Sequence, residues 1–531
     1  MTAIPGPPRL RRRDILRLGA GAAAAAVAGC SSHQANRPPV TRAPVGPATT
    51  GATTPAALPA SDAAWSEFGR SLTGRLVRPS DAGYLTDLQL YDSRFDGVRP
   101  AGIAYCASPA DVQHSIAFAR DHDLPFAARS GGHSYAGYST SSGLVIDVTS
   151  MAAVSSRSGS ATIGAGARLI DVYSALNGAG VSIPAGSCPT VGIAGLTLGG
   201  GVGVVDRAYG LTCDALSSIQ IVTADSRLVT ASAAVNPDLY WACRGGGGGN
   251  FGIATRLDFN TFQTSPLTLV FLTWPWSAAS DVLPAWLEWA PHAADELWSN
   301  CLLEAVPTSS APKLQVGVVW VGSPSGIDGP LTQLASTVGS TPSSRYVETV
   351  AFEHGMYVEG GCASFSQAAC HLPNETSGGA LTRQPSLAKS GYISAPLGDA
   401  GVQALISGVQ ARQSQRAQGA VGLDAYGGAI NRVGPSDTAF VHRSALASAQ
   451  YNVPFDPGTP PDQLASSLSW LDSWYASVGP YMDGSAYQNY IDPGLTGWAD
   501  AYYGANLGPL TEVKRKWDPD DAFHFAQSIP L

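Results

Sequence analysis

The 531-residue sequence is poor in charge and has no basic excess. Charged residues make up 13% of the chain, and 31 Lys and Arg stand against 40 Asp and Glu, a formal net charge of −9. A protein that binds nucleic acid needs clustered Lys and Arg to displace counterions from the phosphates. The composition therefore argues against a nucleic-acid partner.

Several common binding motifs are missing as well. The eight cysteines include no CxxC pair and no other paired metal-ligand spacing, so we expect no zinc or iron–sulfur site. No segment follows GxxxxGK[ST], and the glycines at 199–203 lack the strand, helix and later acidic residue of a Rossmann unit. Cys362 and Cys370 are close enough for a local disulfide, but the spacing also fits two separate thiols.

Glycine, proline and apolar residues are abundant instead. The chain has 60 Gly and 38 Pro, which indicates many turns and close backbone approaches. Its 44% hydrophobic content, with 12 Trp, 19 Tyr and 14 Phe, is enough to bury a large core. The length predicts about two or three domains.

Residues 1–30 have the features of an export signal. The segment RRDILR at 12–17 resembles a twin-arginine motif, and the uncharged run at 18–29 is too short to span a bilayer. The sequence VAGC at 27–30 resembles a lipobox in which Cys30 is acylated, although an ordinary cleaved signal is the alternative. We expect export of a folded, cofactor-loaded protein by the twin-arginine route to the cell envelope, either lipid-anchored or secreted.

A tether and then a mixed α and β pattern follow the signal. Residues 31–61 are rich in Pro, Ala, Thr, Gly and Ser, which predicts a disordered linker. A Ser cap, a Pro in the first turn and helically spaced apolar residues predict a helix at 107–122. Apolar, β-branched runs predict strands at 125–129, 144–148, 161–163, 219–223, 227–230, 267–273 and 313–320, and helical spacing predicts helices at 403–416 and 461–477. The fold class is therefore α+β.

Three glycine-rich segments stand out in the first half of the chain. They are RSGGHSYAGY at 129–138, AGSCPTVGIAGLTLGGGVGVVDRAY at 185–209 and RGGGGGNFG at 244–252. Repeated glycine allows backbone N–H groups to approach and cradle a pyrophosphate. One such loop is explained by a tight turn, whereas three long ones favour nucleotide binding.

These segments and later ones resemble a known family. The matching motifs are RSGGHSY at 129–135, CPTVG at 188–192, YGLT at 209–212, AYGGAI at 425–430, YQNYID at 487–492 and WDPDDAFHFAQSIP at 517–530. They resemble the berberine bridge enzyme-like flavoproteins, which belong to the vanillyl-alcohol-oxidase or PCMH-type FAD-binding superfamily. The resemblance spans roughly residue 92 to the C terminus. It implies a two-part PCMH-type FAD-binding domain (62–265 and the C-terminal segment 486–531) and an antiparallel β-sheet substrate domain covered by helices (266–485).

The resemblance also implies FAD bound through two covalent bonds. In the family a His of SGGHS is joined to the 8α-methyl carbon of the isoalloxazine and a Cys of CPTVG to its C6, roles that fall on His133 and Cys188. An imidazole nitrogen and a thiolate are nucleophiles able to add to an electron-poor ring. A core histidine and an inert buried cysteine are the alternatives. The other residues expected to line the cofactor are Arg129, Ser130, Gly131, Gly132, Ser134, Tyr135, Val191, Gly195, Gly200, Gly201, Asn250, Phe251, Gly252 and Asn489.

The YQNYID segment supplies the expected catalytic base. In related sugar and alcohol oxidases a Tyr of this segment removes a proton while hydride passes to flavin N5, which points to Tyr487 or Tyr490. We favour Tyr487 as the base, with Asn489 positioning it. The alternative is that both tyrosines have only a structural role, with packed rings and hydrogen-bonded hydroxyls. Asn431 falls where berberine-type members carry a Glu base, which argues for a hydroxyl substrate rather than an amine.

Two further positions bear on the chemistry. Many plant members carry a Tyr where Val202 stands, so activation of the base from that position is lost unless Tyr135 or Tyr392 replaces it. In the family the residue three places after the flavin-linked Cys faces the flavin where oxygen approaches, and a Val there leaves room. Val191 occupies that place and predicts an oxidase that uses O₂ and forms hydrogen peroxide, the alternative being transfer to a quinone or another carrier.

The expected function is that of an exported oxidase acting on CH–OH groups. The many Trp and Tyr residues can stack on sugar rings, and Asn and Gln side chains can form hydrogen bonds with sugar hydroxyls. We therefore favour a sugar or oligosaccharide substrate, whose anomeric hydroxyl is oxidised to give a lactone. A hydroxylated secondary metabolite is the other substrate class. A non-catalytic flavin-binding surface protein is the alternative of a different kind.

Overall fold

The computed structural model describes residues 60–531. The predicted signal at 1–30 and all but the last residues of the predicted tether at 31–61 lie outside the described residues. Within residues 60–531 no helix has both the length and the apolar character needed to cross a membrane.

The first sheet has four short strands. They are β1 (Arg75–Val77), β2 (Gly102–Tyr105), β3 (Phe126–Arg129) and β4 (Leu144–Asp147). Their order is β1-β2-β4-β3, with β4 parallel to both β2 and β3 and β1 antiparallel at the edge. All four residues of β4 are buried, as expected of a central parallel strand. The parallel arrangement needs a crossover, and the helix Pro109–Asp121 supplies it between β2 and β3.

The second sheet follows directly in the chain. Its region contains β5 (Val154–Arg157), β6 (Ser160–Gly164), β7 (Val181–Ser182), β8 (Leu216–Val222), β9 (Leu228–Ser232), β10 (Ile253–Asn260) and β11 (Phe262–Gln263). Five strands form an antiparallel sheet in the order β5-β6-β10-β8-β9, while β7 pairs with β11. The predicted strands of this half of the chain are confirmed.

The third sheet is larger and entirely antiparallel. Its strands are β12 (Leu267–Trp274), β13 (Leu297–Ala305), β14 (Lys313–Val321), β15 (Ser344–Val350), β16 (Ser386–Ile393), β17 (Gly419–Ala425) and β18 (Ala447–Pro454). Their order is β15-β12-β14-β13-β17-β18-β16. All seven lie within 266–485, and the two strands predicted at 267–273 and 313–320 are confirmed.

The α-helices of residues 60–531 surround these sheets. They are α1 (Asp62–Ser71), α2 (Tyr84–Asp87), α3 (Pro109–Asp121), α4 (Leu169–Asn177), α5 (Ile193–Leu198), α6 (Asp206–Tyr209), α7 (Thr212–Ala215), α8 (Pro237–Ala242), α9 (Ala279–Trp289), α10 (Asp328–Val338), α11 (Phe352–Glu359), α12 (Gly398–Ser414), α13 (Gly428–Arg432), α14 (Pro461–Val478), α15 (Trp498–Tyr503) and α16 (Leu507–Trp517). The helix predicted at 107–122 is α3, which begins after Ser108, whose side chain accepts a hydrogen bond from the Asp111 amide at 3.3 Å.

The two faces of the third sheet differ in polarity, and this difference positions the site. On β13, Leu297, Cys301 and Leu303 belong to a core shared with α9, α10, α12 and α14. Trp298 and Asn300 alternate with them and point to the opposite face, because successive side chains of a strand point to opposite sides. The helices thus cover one face, and the polar face meets the first half of the chain.

A second core joins the remaining parts of the molecule. It includes residues of the first two sheets together with Tyr502, Leu510 and Ile529 of the C-terminal segment. Lys514 is fully buried and its ammonium donates to the Asn250 carbonyl at 3.2 Å, which ties that segment to the third glycine-rich loop. The predicted α+β fold class, with an antiparallel sheet covered by helices, is confirmed.

Candidate active site

A cavity of about 410 Å³ lies between the glycine-rich loops and the polar face of the third sheet. The predicted site residues that line it are Arg129, Ser130, Gly131, Gly132, His133, Ser134, Tyr135, Cys188, Val191, Gly195, Asn250, Gly252, Tyr487, Asn489 and Tyr490. They come from four separate segments of the sequence. The fold therefore brings most of the predicted site into one space.

His133 is held by two neighbours at the wall of this cavity. Its Nε2 atom is 2.9 Å from the Thr190 hydroxyl, and its ring stacks on Tyr91 with centroids 4.0 Å apart. Burial and the positive charge of Arg168 lower the pKa of His133 to about 3. The imidazole is therefore neutral at physiological pH and keeps a nitrogen lone pair, as a nucleophile requires.

The Cys188 loop is fastened to the start of α4. The Leu169 and Ile170 amides, at the N terminus of that helix, donate to the carbonyls of Val191 and Pro189 at 3.0 and 3.1 Å. These amides have no acceptor within the helix, so the loop supplies one. Cys188 is half-buried and lines the cavity close to Val191.

Glycines let the two loops approach closely and leave room beside them. A Cβ atom on Gly131 would lie 2.2 Å from the Gly192 amide nitrogen, so no side chain fits there. A Cβ on Gly195 would meet no atom within 4 Å and would extend into open space at the cavity wall. Arg129 pairs with Asp147, and its buried Nη1 has no hydrogen-bond partner among the described residues. An open glycine wall and an unpartnered guanidinium nitrogen fit a dinucleotide with its pyrophosphate.

The two candidate bases occupy different surroundings. The Tyr487 hydroxyl oxygen accepts hydrogen bonds from the Gly201 amide at 2.8 Å and from Asn489 Nδ2 at 2.9 Å. Burial raises the pKa of Tyr487 above its usual value, while these two donors lower it. Tyr490 instead stacks on Tyr135 with centroids 5.7 Å apart. Burial and the charges of Tyr135 and Asp424 raise its pKa.

Four of the predicted site residues do not line this cavity. Asn431 is exposed on α13, where its Oδ1 accepts from the Gly427 amide at 2.9 Å and its Nδ2 donates to the Ala445 carbonyl at 3.0 Å. Phe251 is 2% exposed and its ring packs into the core. Gly200 and Gly201 lie outside the lining, and Cβ atoms added there would meet Phe440 and Thr212, although the Gly201 amide donates to the Tyr487 hydroxyl. Each motif matched locally, but packing decides which way its residues point.

Of the two tyrosines considered as activators, one faces the cavity. Tyr135 lines it and its hydroxyl accepts a hydrogen bond from Gln450 Nε2 at 2.9 Å. Tyr392 is outside the lining, and its hydroxyl lies 3.1 Å from that of Tyr426. Val202 lines the cavity as an apolar residue.

Three carboxyl groups in the lining were missed from the sequence: Asp206 and Glu359, which are buried, and Asp424, which is half-buried. Burial, with a contribution from the nearby Asp424 charge, raises the pKa of Asp206 to about 8. Burial likewise raises the pKa values of Glu359 and Asp424 to about 7. Asp206 Oδ1 has no hydrogen-bond partner among the described residues. The usable signal was Asp424, a charged residue inside the otherwise apolar strand β17.

Two predictions about cysteines and metals also bear on the site. Cys362 and Cys370 form a disulfide, with Cα atoms 5.9 Å apart. In the described part of the chain, no group of three or more His, Cys, Asp or Glu side chains has an arrangement that could hold a metal ion.

Comparisons with known proteins identify the two parts of the site. A family model described as an FAD binding domain matches residues 100–232, and one described as berberine and berberine like matches residues 486–530. The Bacillus subtilis (strain 168) protein described as the uncharacterized FAD-linked oxidoreductase YgaK is 32% identical over 482 residues, which cover 86% of this chain and 97% of that protein. A carbohydrate oxidase of Microdochium nivale is 29% identical, with 85% of this chain and 92% of that protein covered.

The solved structures agree with the sequence matches. Physcomitrella patens BBE-like 1 superposes with a TM-score of 0.79 at 30% identity, covering 88% of this chain and 99% of that one. The relationship thus extends over both domains and over nearly the whole length of the relatives. The chain belongs to the berberine bridge enzyme-like FAD-linked oxidoreductases.

Proposed function

We propose that this oxidoreductase oxidises a hydroxyl group of a sugar or oligosaccharide, the anomeric carbon becoming a lactone, and passes the electrons to O₂. The main support for this proposal is the position of the Tyr487 hydroxyl. Its hydroxyl oxygen lies in a cavity between the FAD-binding loops and a polar sheet face, and two N–H donors converge on it. That arrangement suits removal of a proton from a substrate hydroxyl.

Different residues of the cavity would perform the separate steps of this reaction. Bound FAD supplies a two-electron acceptor that takes hydride at N5. Tyr487 acts as a phenolate, whose negative charge the N–H groups of Gly201 and Asn489 stabilise, and it becomes a neutral phenol when it takes the substrate hydroxyl proton onto its own oxygen. The neighbouring rings of Tyr490 and Phe440 exclude water from the phenol, with centroids 4.9 and 5.9 Å from that of Tyr487.

The opposite wall has groups suited to a sugar. Trp298 offers an apolar ring face, while Asn300 and Gln450 offer amide groups that pair with hydroxyls. The carboxyl groups of Asp206, Glu359 and Asp424 add further polar partners. The relationship to the carbohydrate oxidase of Microdochium nivale supports the same substrate class.

Anaerobic titration tests the proposed substrate class. Mono- and oligosaccharides should bleach the flavin absorbance, and the product should have lost two hydrogens at the anomeric carbon. Bleaching only by hydroxylated aromatic or other secondary metabolites would show that the substrate is a secondary metabolite and not a sugar. Bleaching by neither group would support a non-catalytic flavin-binding protein.

We also propose that the flavin is held by bonds to both His133 and Cys188. Supporting this, both side chains line one cavity, and His133 contacts Thr190, which lies two residues after Cys188. Acid-precipitated protein should stay yellow and carry the mass of one FAD. His133→Ala and Cys188→Ala should each retain flavin through denaturation, and the double variant should release it. Release of flavin from the unaltered protein would contradict the assignment.

The leader motifs support export of the folded protein by the twin-arginine route, with a lipid anchor on Cys30. Replacing Arg12 and Arg13 by Lys should leave the flavoprotein in the cytoplasm. Cys30→Ser should release it from the membrane fraction into the medium. Unchanged membrane association of Cys30→Ser would show that the anchor is wrong and an ordinary signal is used.

A further inference from the structure

A disulfide-closed segment of the substrate domain lies against helix α4. This disulfide segment, residues 362–376, has both of its cysteines fully buried beside Ile170. His371 Nε2 lies 3.1 Å from Asp171 Oδ2, and Gln367 Nε2 donates to Asp171 Oδ1 at 2.9 Å. The segment is thus fastened to the first turn of α4 by one side chain inside the disulfide-closed loop, Gln367, and by one directly after it, His371.

Glu375 extends this contact to the start of the helix. One of its carboxylate oxygens accepts from the Leu372 amide at 3.0 Å, within the segment, and the other lies 3.0 Å from Arg168 Nη2. Both side chains of the ion pair are largely buried, at 10% and 13% exposure. A pair so shielded from solvent is weakly screened and fixes the guanidinium in one position.

Arg168 in turn contacts both FAD-attachment loops. Its Nη1 donates to the Ser130 carbonyl at 2.8 Å, in the loop that carries His133. Its backbone is bridged to Gly192, in the loop that carries Cys188. The side chain therefore holds one loop and the backbone holds the other.

We propose that the disulfide segment is a clamp for covalent flavin attachment, in which Glu375, acting through Arg168, positions the Ser130–His133 loop for bond formation at His133. Glu375 and Arg168 are positioning residues, since neither is required to react. The Cys362–Cys370 disulfide fixes the loop that contains Ala368, and the Thr376 hydroxyl donates to the Ala368 carbonyl at 3.0 Å, so the disulfide preorganises the neighbouring Glu375 through this contact. This inference rests on the proposed covalent attachment.

The bond-forming chemistry is balanced without any group beyond FAD and dioxygen. Attachment replaces one C–H bond of the 8α-methyl group by a C–N bond to the imidazole. That hydrogen, the imidazole proton and the electron pair stay on the flavin as its two-electron reduced form. Dioxygen then takes both hydrogens and both electrons as hydrogen peroxide, which restores oxidised flavin. The role of the clamp is to place the His133 nitrogen within reach of that carbon.

The test separates the two bonds. In a Cys188→Ala background, where only the His133 bond remains, Glu375→Gln should lower the fraction of flavin retained after denaturation by about tenfold, because a small misplacement of a nucleophile is costly. In a His133→Ala background the same change should have little effect, because the Cys188 loop is held by backbone hydrogen bonds. Cys362→Ser with Cys370→Ser should reproduce the His133-specific loss.

Matched variants control for folding. Glu353 also contacts α4, but at its far end, where it accepts from Asn177 Nδ2 at 2.8 Å. Glu353→Gln should leave flavin retention unchanged in both backgrounds. Arg168→Lys, which keeps one donor for the Ser130 carbonyl, should retain more flavin than Arg168→Met, while total FAD in the native proteins stays constant.

The possible failures are distinguishable. If the unaltered protein releases all of its flavin on denaturation, the proposed covalent attachment is wrong. If it retains flavin and Glu375→Gln behaves as Glu353→Gln in the Cys188→Ala background, the clamp is wrong and attachment stands. Equal losses in both backgrounds would also overturn the clamp, since they indicate a general loss of structure.

Discussion

At the scale of single residues, the surroundings of Tyr487 determine how it reacts. Burial raises its pKa, and the Gly201 and Asn489 donors offset only part of that effect. A phenol in this state becomes a base as the pH rises. Flavin reduction by substrate should therefore accelerate with pH across the alkaline range.

The phenolic hydroxyl can be removed without disturbing the packing of the ring. Tyr487→Phe should slow flavin reduction by roughly 10² to 10⁴, the usual weight of general-base catalysis, with flavin content unchanged. Stopped-flow reduction under anaerobic conditions measures this rate, and Tyr490→Phe is the matched control. A normal rate for Tyr487→Phe with a slow Tyr490→Phe would show that the other tyrosine is the base.

Val191 is the residue expected to govern access of oxygen. It lines the cavity three positions after Cys188, and its backbone is fixed by the Leu169 amide. Val191→Leu adds one methylene, and crowding of about 1–3 kcal/mol corresponds to a reaction slower by a factor of roughly 5 to 150. Mixing reduced enzyme with air-saturated buffer should show that slowing, while reduction by substrate stays unchanged. Equal reoxidation of the two proteins, or slow reoxidation of the unaltered one, would favour a dehydrogenase.

At the scale of elements, the contact between the disulfide segment and α4 is sensitive to pH. Burial lowers the pKa of His371, but its hydrogen bond and charge interaction with Asp171 outweigh this, and Glu375 adds to them, so the net pKa is raised. A raised pKa means that protonated His371 stabilises the folded state. This stability is fully present below the unfolded pKa, about 6.5, and is lost as the pH rises through the folded value.

Replacement of His371 should therefore show a pH-dependent cost. His371→Gln should lower the free energy of unfolding more at pH 5.5 than at pH 8.5, as measured by urea denaturation. His354, an exposed residue on α11, is the control, and its replacement by Gln should cost little because it removes no buried contact. A cost for His371→Gln that does not change with pH would contradict the ion pair.

At the scale of the whole molecule, Arg207 links the two halves. It lies on α6 in the first half and is 0% exposed. Its guanidinium donates to backbone carbonyls of the second half, namely Leu297 at 2.7 Å, Pro291 at 3.1 Å, Ala293 at 2.8 Å, and Tyr426. One side chain thereby satisfies polar groups that the domain interface removes from water.

Loss of that side chain should leave these carbonyls unsatisfied. Arg207→Met should lower the free energy of unfolding by about 3–5 kcal/mol, as expected when one partner of a buried charged network is removed. Arg227, whose side chain is 68% exposed beside Asp225, is the control, and Arg227→Met should cost about 1 kcal/mol or less. Urea unfolding measures both. Equal costs would show that Arg207 does not hold the halves together.

Local sequence was sufficient to identify the FAD-binding loops and most secondary structure. Residues 131 and 192 must be glycine because their backbones touch and leave no room for a Cβ atom. The glycines in the two motifs therefore indicate this close approach of the loops. Helix α3 was predictable because Ser108 and Pro109 are start signals that act within one turn. The place of His133 and Cys188 at the cavity was predictable for the same reason, since each lies inside such a motif.

Tertiary structure alone decided which side chains face the cavity. Asp206, Glu359 and Asp424 come from distant segments and meet only because α6, α11 and β17 border one cavity. Asn431 matched a catalytic position by local motif, yet the packing of α13 turns it to solvent. Local sequence encodes backbone conformation through sterics and hydrogen bonds within a few residues. The direction of a side chain depends on how sheets and helices pack, and that packing is set by contacts between residues far apart in the chain.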